Sequence, residues 1–285
     1  MNILITGSGN YLGKYLINKF IINNINVIAI SNKKIPKINK RFYFIKHQLS
    51  KSPYLKIKKK IDVMIHISGP SYKPENKIED YISGNILSAL NTDHMRKFYR
   101  PKVLFYTSTR EIYGDISSSS LTEKTKRVEP GVYGMSKYIA EEIFMQNKPT
   151  IILRLPSIIG KGNHGWINKI YSDLKKNRNI KFFNMRYNNC VHLKDIYLAI
   201  KIILLKKNIK NNIYNMSCRD IVMSKSIIEI MKAKSKSKSK LIEKKINFNN
   251  NNYIISSKKI KSFFKPMSVY ETINEYLNEM EKINK

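Results

Sequence analysis

Short apolar runs alternate with amphipathic segments along the first half of the chain, and their spacing predicts a regular succession of strands and helices. Helical periodicity of apolar residues occurs near residues 11–23, 81–99 and 134–147. Apolar runs of strand length occur near 2–6, 26–31, 42–46, 62–67, 102–107 and 150–154. Such alternation is typical of an α/β protein built on a doubly wound parallel sheet.

The pattern becomes less regular after Pro156, where a glycine-rich turn precedes one amphipathic segment and several short strand-like runs. The amphipathic segment lies near 166–177, and the strand-like runs lie near 180–183 and 212–216. At 285 residues the chain is long enough for one full domain and a smaller lobe.

We therefore expect a dinucleotide-binding domain over residues 1–155 and a smaller C-terminal α/β substrate lobe over residues 156–285. Segments near 190–217 are expected to return to the first domain.

The C-terminal region contains two further patterns. Residues 232–240 alternate lysine with small residues, which predicts a mobile, solvated helix end or loop. The tail from Ser256 predicts a capped helix after Pro266, with one packing stripe formed by Val269, Ile273, Tyr276 and Leu277.

A glycine-rich turn separates the first strand from the first helix. It reads Gly7, Ser8, Gly9, Asn10, Tyr11, Leu12, Gly13. A strand, a tight turn and a helix in this order bring free backbone N–H groups and the positive helix end to a pyrophosphate, which predicts a dinucleotide site. The alternative is an ordinary turn of an α/β protein.

The second strand ends at Ser31 and is followed by Asn32 and Lys33. A fold that prefers NAD carries an acidic residue here to hold the ribose 2′-hydroxyl. The missing carboxylate and the nearby cations favour NADP(H) over NAD(H), and both remain open.

Tyr133 and Lys137 lie four residues apart in a predicted helix, so both side chains project from one face. A cation close to a phenol favours the phenolate and lowers the tyrosine pKa towards the working range of a general acid or base. The alternative is a chance pair on a solvated helix.

Composition excludes several classes of protein. The net charge is +33, but 44 of the 53 cations are lysine, which indicates compositional bias rather than a nucleic-acid surface, so no nucleic-acid partner is expected. Only Cys190 and Cys218 are present, and no metal spacing occurs. No apolar stretch approaches the ~20 residues that cross a bilayer, so a cytoplasmic protein without a membrane partner is expected.

Further short motifs follow one another in a recognisable order. They are Asp62–Gly69, Asn85, Thr107–Gly114, Arg154–Gly160, Val191–Asp195, Ile213–Ser217, Ser257–Ile260 and Phe264–Pro266. Together with the glycine turn and the Tyr133/Lys137 pair, they make the chain resemble the extended short-chain dehydrogenase/reductase family. The closest likeness is to its nucleotide-sugar epimerases, dehydratases and reductases, and it runs nearly end to end.

This resemblance implies a Rossmann fold and hydride chemistry at a sugar carbon. Tyr133 would exchange a proton with the sugar oxygen, Lys137 would hold the nicotinamide ribose and depress the tyrosine pKa, and Thr109 would hydrogen-bond the reacting oxygen. Glu111 would supply a second acid or base, or else pair with Arg110 at the cleft edge.

The resemblance also implies further contacts. Expected cofactor contacts besides the turn and the second strand are Gln48, Leu49, Ile67, Ser68, Gly69, Asn85, Tyr133 and Lys137. Expected substrate contacts are Thr109, Arg110, Pro156, Arg186 and Asn188.

The chain departs from the family pattern at two of these places. In the family's pattern a glycine occupies the place of Asn10, whose tolerance of the left-handed conformation is expected to preserve the turn. Asn188 occupies the place of an arginine that grips the substrate diphosphate, with Arg186 two residues earlier.

The function expected is an NAD(P)-dependent epimerase or 4-ketoreductase acting on a nucleotide-activated sugar for surface polysaccharide assembly, in a homodimer. The alternatives are a catalytically inactive dinucleotide-sensing regulator and a 4,6-dehydratase or decarboxylase that uses Glu111. His66 is expected to be a packed core histidine, His164 a solvated loop residue, and His192 and Asp195 structural.

Overall fold

The computed structural model describes residues 1–53, 56–115, 120–147, 149–162, 165–245 and 253–282. The strands, in chain order, are β1 (Asn2–Thr6), β2 (Asn26–Ser31), β3 (Phe42–Lys46), β4 (Val63–His66), β5 (Val103–Thr109), β6 (Ser120–Leu121), β7 (Thr150–Leu155), β8 (Ser157–Ile159), β9 (Ile180–Phe183), β10 (Arg186–Tyr187), β11 (Cys190–His192), β12 (Asn212–Asn215), β13 (Val222–Met223), β14 (Leu241–Lys244) and β15 (Ile254–Ile255).

The α-helices, in chain order, are α1 (Tyr11–Ile22), α2 (Ile78–Tyr81), α3 (Ser88–Tyr99), α4 (Val132–Met145), α5 (Trp166–Lys175), α6 (Leu193–Leu204), α7 (Ser224–Ser235), α8 (Lys258–Lys261) and α9 (Val269–Glu281). A π-helical segment (Ile82–Leu87) joins α2 to α3, and a 3₁₀ turn (Arg110–Tyr113) follows β5. No helix in the described ranges is long and apolar enough to cross a membrane.

The chain divides into two compact units. The first comprises residues 1–115, 127–154 and 200–214, and the second comprises residues 116–126, 155–199 and 215–285. The functional roles expected for the two parts of the chain remain predictions.

The first unit is built on a seven-stranded sheet in the order β3-β2-β1-β4-β5-β7-β12. The pairs β1·β2, β2·β3, β1·β4 and β4·β5 are parallel. Strands β1, β4 and β5 are almost fully buried, as expected for a sheet covered by helices. The predicted doubly wound α/β fold is confirmed, and the strand order reverses direction between β1 and β4, where such sheets bind ligands.

The core of the first unit on one sheet face consists of apolar side chains from the strands and from α3 and α4. Leu4, Met64, Leu104 and Ile152 of the sheet pack there with Phe144 of α4. Burying these side chains fixes α4 against the sheet, and α4 carries the candidate Tyr/Lys pair.

The second unit has a core formed by α5, α7, α9 and the short strands. Its tail helix begins at Ser268, whose side chain accepts from the Glu271 N–H while the Glu271 carboxylate accepts from the Ser268 N–H. The predicted packing stripe on α9 is confirmed, because Val269, Ile273, Tyr276 and Leu277 are all buried.

Of the helix end or loop predicted over residues 232–240, the helix end is confirmed, and the residues after it are held by hydrogen bonds. Helix α7 continues to Ser235, and Ser237 and Lys238 both donate to the Asn177 side chain. The chain then enters β14, which pairs in parallel with β9. Lysines at alternating positions stay exposed while Ser239 is buried, so the segment is an ordered approach to a strand.

Candidate active site

The glycine turn after β1 packs so closely against neighbouring backbone that its glycines are required. Gly7 has φ +69°, and a Cβ there would lie 2.5 Å from the Ser68 backbone. A Cβ on Gly13 would lie 2.6 Å from the backbone of Ser8, and one on Gly9 would lie 2.6 Å from Ser31 Oγ. This close approach leaves a cradle bounded by backbone, as a dinucleotide site requires.

The expectation that Asn10 preserves the turn by adopting a left-handed conformation is wrong. Asn10 is extended, with φ −82° and ψ 172°, and it is the N-cap of α1. Its Oδ1 accepts from the Gly13 N–H at 2.7 Å. The turn therefore holds its shape because a side chain caps the helix, not because the backbone tolerates positive φ.

A cleft of about 520 Å³ opens beside this turn, at the carboxyl ends of β1, β2 and β4. Of the predicted cofactor contacts, it is lined by Gly7, Gly9, Asn10, Ser31, Asn32, Lys33, Gln48, Leu49, Ile67, Ser68 and Gly69. Segments at the carboxyl ends of four strands, β1 to β4, thus meet at one edge of the sheet.

Other predicted cofactor residues lie outside that lining. Ser8 is buried, and its Oγ donates to the Ile30 carbonyl at 2.9 Å, so it ties the turn to β2. Leu12 is buried in the core, Gly13 packs on Ser8, and burial raises the pKa of Tyr11 to about 12.

The cleft also has lining residues that sequence reasoning missed, among them His47, Ser50, Pro70, Ser83, Gly84 and Ser88. Ser83, Gly84 and Ser88 flank the Asn85 motif, so their small size next to that motif was an available signal. Ser50 and Pro70 directly follow predicted contacts and carried no separate signal.

Asn85 lies on the π-helical segment and is buried. Its Nδ2 donates to Ser136 Oγ at 2.9 Å, and Ser136 Oγ donates to the Tyr133 carbonyl at 2.8 Å. The predicted cofactor residue Asn85 therefore connects the cleft wall to the first turn of α4. Local π-helical geometry often occurs at functional sites.

Thr109 and Tyr133 converge. Thr109, at the end of β5, is buried, its hydroxyl accepts from the Glu111 N–H at 3.3 Å, and it lies close enough to the Tyr133 phenol to act on the pKa of that group. The contact is possible because α4 begins with a glycine at its third position. A Cβ on Gly134 would lie 2.8 Å from the Glu111 carbonyl carbon and closer still to its oxygen.

Burial raises the pKa of the Tyr133 phenol well above its ordinary value. The Thr109 hydroxyl acts in the opposite direction and lowers this pKa, and the Glu111 carboxylate adds to the upward shift. The sequence predicted that the charge of Lys137 lowers the pKa of Tyr133. In the structure this pKa is raised instead, because the cost of burying a charged phenolate is larger than the effect of a nearby cation.

Lys137 is buried one turn after Tyr133, and its Nζ donates to the Thr107 carbonyl at 3.0 Å. The same Nζ lies 4.8 Å from the centre of the Tyr106 ring. Burial lowers the pKa of Lys137 to about 8, and Glu141 acts against that shift. An ammonium with a pKa near neutrality can change its protonation in the working range of an enzyme.

Glu111 and Arg110 form an ion pair, with Arg110 Nε 3.0 Å from Glu111 Oε1. Both side chains are partly exposed. Of the two readings of Glu111, this geometry matches the cleft-edge carboxylate paired with Arg110.

The remaining predicted substrate residues lie in the second unit. Pro156 is buried between β7 and β8, and Arg186 is exposed on β10, opposite Met223. Asn188 is buried, its Nδ2 donates to the Ile255 carbonyl at 2.8 Å, and its Oδ1 accepts from the Ile255 N–H at 3.0 Å. Both ends of this amide bind backbone, which favours a structural role for Asn188 over substrate contact.

The histidines match their sequence interpretation where the structure describes them. His66 is fully buried, with Nδ1 2.8 Å from Thr6 Oγ1 and 3.0 Å from Thr92 Oγ1, so the predicted core histidine is confirmed. Burial, assisted by the charge of Lys137, lowers its pKa to about 3. His164 lies outside the described residues, and within the described ranges no group of three potential metal ligands occurs.

Comparison with known proteins gives the following likenesses. The sequence model of the NAD dependent epimerase/dehydratase family matches residues 3–217. A Methanocaldococcus jannaschii protein provisionally named UDP-glucose 4-epimerase is 27% identical over 251 residues, which is 81% of this chain and 81% of that protein.

Two solved structures illustrate the likeness in fold. The Bordetella bronchiseptica enzyme WbmG, in complex with NAD and UDP, matches with a TM-score of 0.85 at 19% identity, over 98% of this chain and 94% of that chain. UDP-glucuronic acid 4-epimerase from Bacillus cereus, in complex with UDP-glucuronic acid and NAD, matches with a TM-score of 0.81 at 18% identity, over 99% of this chain and 100% of that chain.

Proposed function

The chain belongs to the NAD dependent epimerase/dehydratase family, and on that premise we propose that it is a nicotinamide-dependent 4-epimerase of a UDP-activated sugar. The observation that carries the proposal is the convergence of the Thr109 and Tyr133 side chains, in the unit that also holds the glycine-lined cleft. A phenol and a hydroxyl at one point can bind and move the proton of a sugar oxygen.

The residues present fit a dinucleotide, because Gly7 and Gly9 line the cleft without side chains, and Gly7, Gly9 and Gly13 let the turn pack closely on Ser68, Ser31 and Ser8. The nicotinamide group, when bound, supplies the acceptor and donor of the hydride. Tyr133 takes the proton from the sugar hydroxyl and later returns it, and Thr109 holds the reacting oxygen by a hydrogen bond. Lys137, buried beside the Thr107 carbonyl, holds the ribose and provides positive charge near the phenol.

The raised pKa of Tyr133 has a mechanistic consequence. The phenol is protonated in the protein without its ligands, so it must lose this proton before it can accept the proton of the sugar hydroxyl. Deprotonation of the sugar hydroxyl needs the phenolate, and the positive charges of Lys137 and of the oxidised nicotinamide favour it. We therefore expect the Tyr133 pKa to fall when the oxidised dinucleotide binds.

Comparison proteins support a nicotinamide dinucleotide, since both solved structures contain NAD. For this chain we propose the finer preference for NADP(H), because Ser31, Asn32 and Lys33 line the cleft at the end of β2 without a carboxylate. The test is titration of the protein with NADH and with NADPH. Lys33→Ala should weaken NADPH at least about fivefold more than NADH, and equal effects on both would remove the preference.

The substrate class follows from a cavity in the second unit. It has a volume of about 510 Å³ and is lined by Trp166, Phe182, Phe183 and Tyr187, among others. Trp166 Nε1 donates to Tyr187 Oη at 3.0 Å, which fixes both rings. Flat aromatic walls of this kind suit a planar nucleobase, and the named relatives act on UDP-sugars.

The experiment that tests the function is incubation of the protein with a panel of UDP-sugars, with separation of the C4 epimers. The absorbance of the bound nicotinamide is recorded in the same samples. Interconversion without added dinucleotide supports an epimerase that retains its cofactor. Net consumption of added NADPH with a 4-keto sugar would instead identify the 4-ketoreductase, and no change with either substrate class would refute both.

For the assembly we propose a homodimer formed through α3 and α4, which pack against each other. Leu87, Leu90 and Phe98 are exposed along one side of the α3 region, and Val132 and Met135 are exposed on α4. Exposed apolar side chains on two adjacent helices favour a symmetric helix-to-helix contact. Sedimentation should give a dimer, and Phe98→Lys should give a monomer; a monomeric wild type would refute the assembly.

A further inference from the structure

Helix α4 carries three chemically active side chains on one face. Tyr133, Lys137 and Glu141 are spaced four residues apart, so they follow one another along the helix. Lys137 is 5% exposed and Glu141 is 1% exposed. The chain therefore places a carboxylate one turn beyond a buried ammonium, at a position that the resemblance did not single out.

Glu141 is held by a buried cation at the end of β7. Arg154 Nε donates to Glu141 Oε1 at 3.1 Å, and Arg154 Nη2 donates to Glu141 Oε2 at 2.7 Å. A bidentate pair of this kind fixes the carboxylate in one orientation. The pair raises the pKa of Arg154 well above its ordinary value despite burial.

The same guanidinium reaches the turn that follows Thr109. Arg154 Nη1 donates to Tyr113 Oη at 3.1 Å, and its guanidinium carbon lies 5.2 Å from the Tyr113 ring centre. Tyr113 ends the 3₁₀ turn that begins directly after Thr109. One buried cation thus joins the strand end, the helix that carries Tyr133 and Lys137, and the turn that carries Thr109.

The ionisable groups around this row come from several elements. Lys137 is approached by His66 of β4 and Tyr106 of β5, and Tyr133 precedes it on α4. Glu141 is approached by Arg154 of β7, and it also acts on Tyr106 and on Tyr138. The Glu111 carboxylate acts on Tyr133, and the Glu141 carboxylate acts on Lys137. The pKa of His66 is lowered and that of Tyr106 is raised, so both are neutral near pH 7.

We propose that Glu141 is a positioning residue that supplies the counter-charge of the buried Lys137 ammonium. Arg154 binds Glu141 and the turn after Thr109, and it keeps both in the positions that this role requires. This inference rests on the function proposed above. It adds Glu141 and Arg154 as a second layer behind Lys137, which itself holds the ribose.

The electrostatics agree with this arrangement. Burial by itself drives Lys137 towards the neutral amine, and Glu141 opposes that shift, which leaves its pKa at about 8. Without a carboxylate one turn away, the pKa of the buried amine would fall further. A neutral Lys137 would no longer favour the Tyr133 phenolate.

The first test is Glu141→Gln, with the titration of Lys137 followed by NMR in lysine-labelled protein and its signal assigned through Lys137→Arg. We expect the midpoint to fall by at least about one pH unit, and the high-pH limb of kcat to move down with it while KM changes little. A Lys137 midpoint equal to that of the wild type would overturn the inference.

The matched control is the other buried acid–arginine pair of the same unit. Asp93 and Arg96 are both 5% exposed and lie on α3. Asp93→Asn should destabilise the protein comparably and leave the Lys137 midpoint unchanged. If Asp93→Asn shifted the Lys137 midpoint as much as Glu141→Gln does, the shift would come from a general loss of packing. That result would overturn the inference.

A second variant covers failure of Glu141→Gln to fold, since one partner of a buried pair is then left charged. Glu141→Met combined with Arg154→Met replaces the pair by apolar side chains and should fold. It should lower the Lys137 midpoint as the single variant does; an unchanged midpoint contradicts the inference. The NMR titration needs no substrate, so a shifted midpoint in a protein that turns over no UDP-sugar would refute the proposed function alone.

Discussion

Gly134→Ala tests how closely α4 must approach the turn after Thr109. A Cβ at this position would lie 2.8 Å from the Glu111 carbonyl carbon, whereas ordinary carbon contacts are about 3.5–4 Å. The first turn of α4 must therefore retreat by about 1 Å. Because Glu111 lies two residues after Thr109 and Gly134 directly follows Tyr133, this retreat moves the Tyr133 phenol away from the Thr109 hydroxyl.

Gly134→Ala should affect kcat much more than the free energy of unfolding. Overpacking costs about 1–3 kcal/mol, and the better helix propensity of alanine returns about 1 kcal/mol, so unfolding should become easier by only ~0–2 kcal/mol. A displacement of about 1 Å between reacting groups costs ~100-fold in rate. We expect kcat to fall about 100-fold while the bound dinucleotide is retained.

The assay is steady-state epimerisation combined with urea unfolding and dinucleotide titration. Gly131→Ala is the matched control, because a Cβ there meets no heavy atom within 4 Å. That variant should keep its kcat. If Gly134→Ala also kept the wild-type kcat, the close approach of α4 would not set the catalytic geometry, and the reasoning would be refuted.

Three further predictions concern the turn, the pH dependence and the tail helix. Gly7→Ala places a side chain on a residue with φ +69° and against the Ser68 backbone, so it should destabilise the fold by about 1–2 kcal/mol. It should also weaken dinucleotide binding at least about tenfold in a fluorescence titration. Unchanged binding would show that the turn does not form the dinucleotide site. Burial lowers the pKa of Lys137 to about 8 from 10.5, so kcat should fall as pH rises through 8. Between pH 8 and pH 10.5 the free energy of unfolding should rise with pH, because the unfolded chain still binds the Lys137 proton that the folded protein has lost. A kcat that does not change with pH in this range would contradict the first expectation. A pH dependence of urea unfolding equal to that of Lys137→Met would contradict the second. Ser268→Ala removes the N-cap of α9 and should cost about 1 kcal/mol, seen as a lower Tm with normal kcat; an unaltered Tm would mean that the cap contributes nothing.

Local patterns predicted much of the first unit. The apolar runs of β1 to β5 and the glycine turn carry their own signal, because strand burial and tight turns depend on neighbouring residues. The stripe Val269, Ile273, Tyr276, Leu277 was readable for the same reason. The family resemblance predicted that Thr109 and Tyr133 act together, and in the structure the Thr109 hydroxyl lies close enough to act on the Tyr133 phenol.

Other features depend on distant residues and carried no local signal. The pairing of β14 with β9 joins segments about sixty residues apart, for example Leu241 and Ile180. Both amide atoms of Asn188 bind the backbone of Ile255, which only the folded second unit brings near.

Burial explains the errors in the electrostatic reasoning. Spacing alone suggested that Lys137 lowers the Tyr133 pKa, but the phenol is enclosed and its pKa is raised. Asn10 shows the same limit for backbone conformation: its sequence position suggested positive φ, whereas its side chain caps α1 instead.

The most direct test of the central claim is the turnover of Tyr133→Phe, measured with its dinucleotide affinity. Tyr81→Phe is the control, since its ring centre lies 5.6 Å from that of Tyr133. Removing the Tyr133 hydroxyl should reduce kcat at least about 100-fold and leave dinucleotide affinity within about threefold, whereas Tyr81→Phe should keep its turnover. Wild-type turnover in Tyr133→Phe would contradict the account.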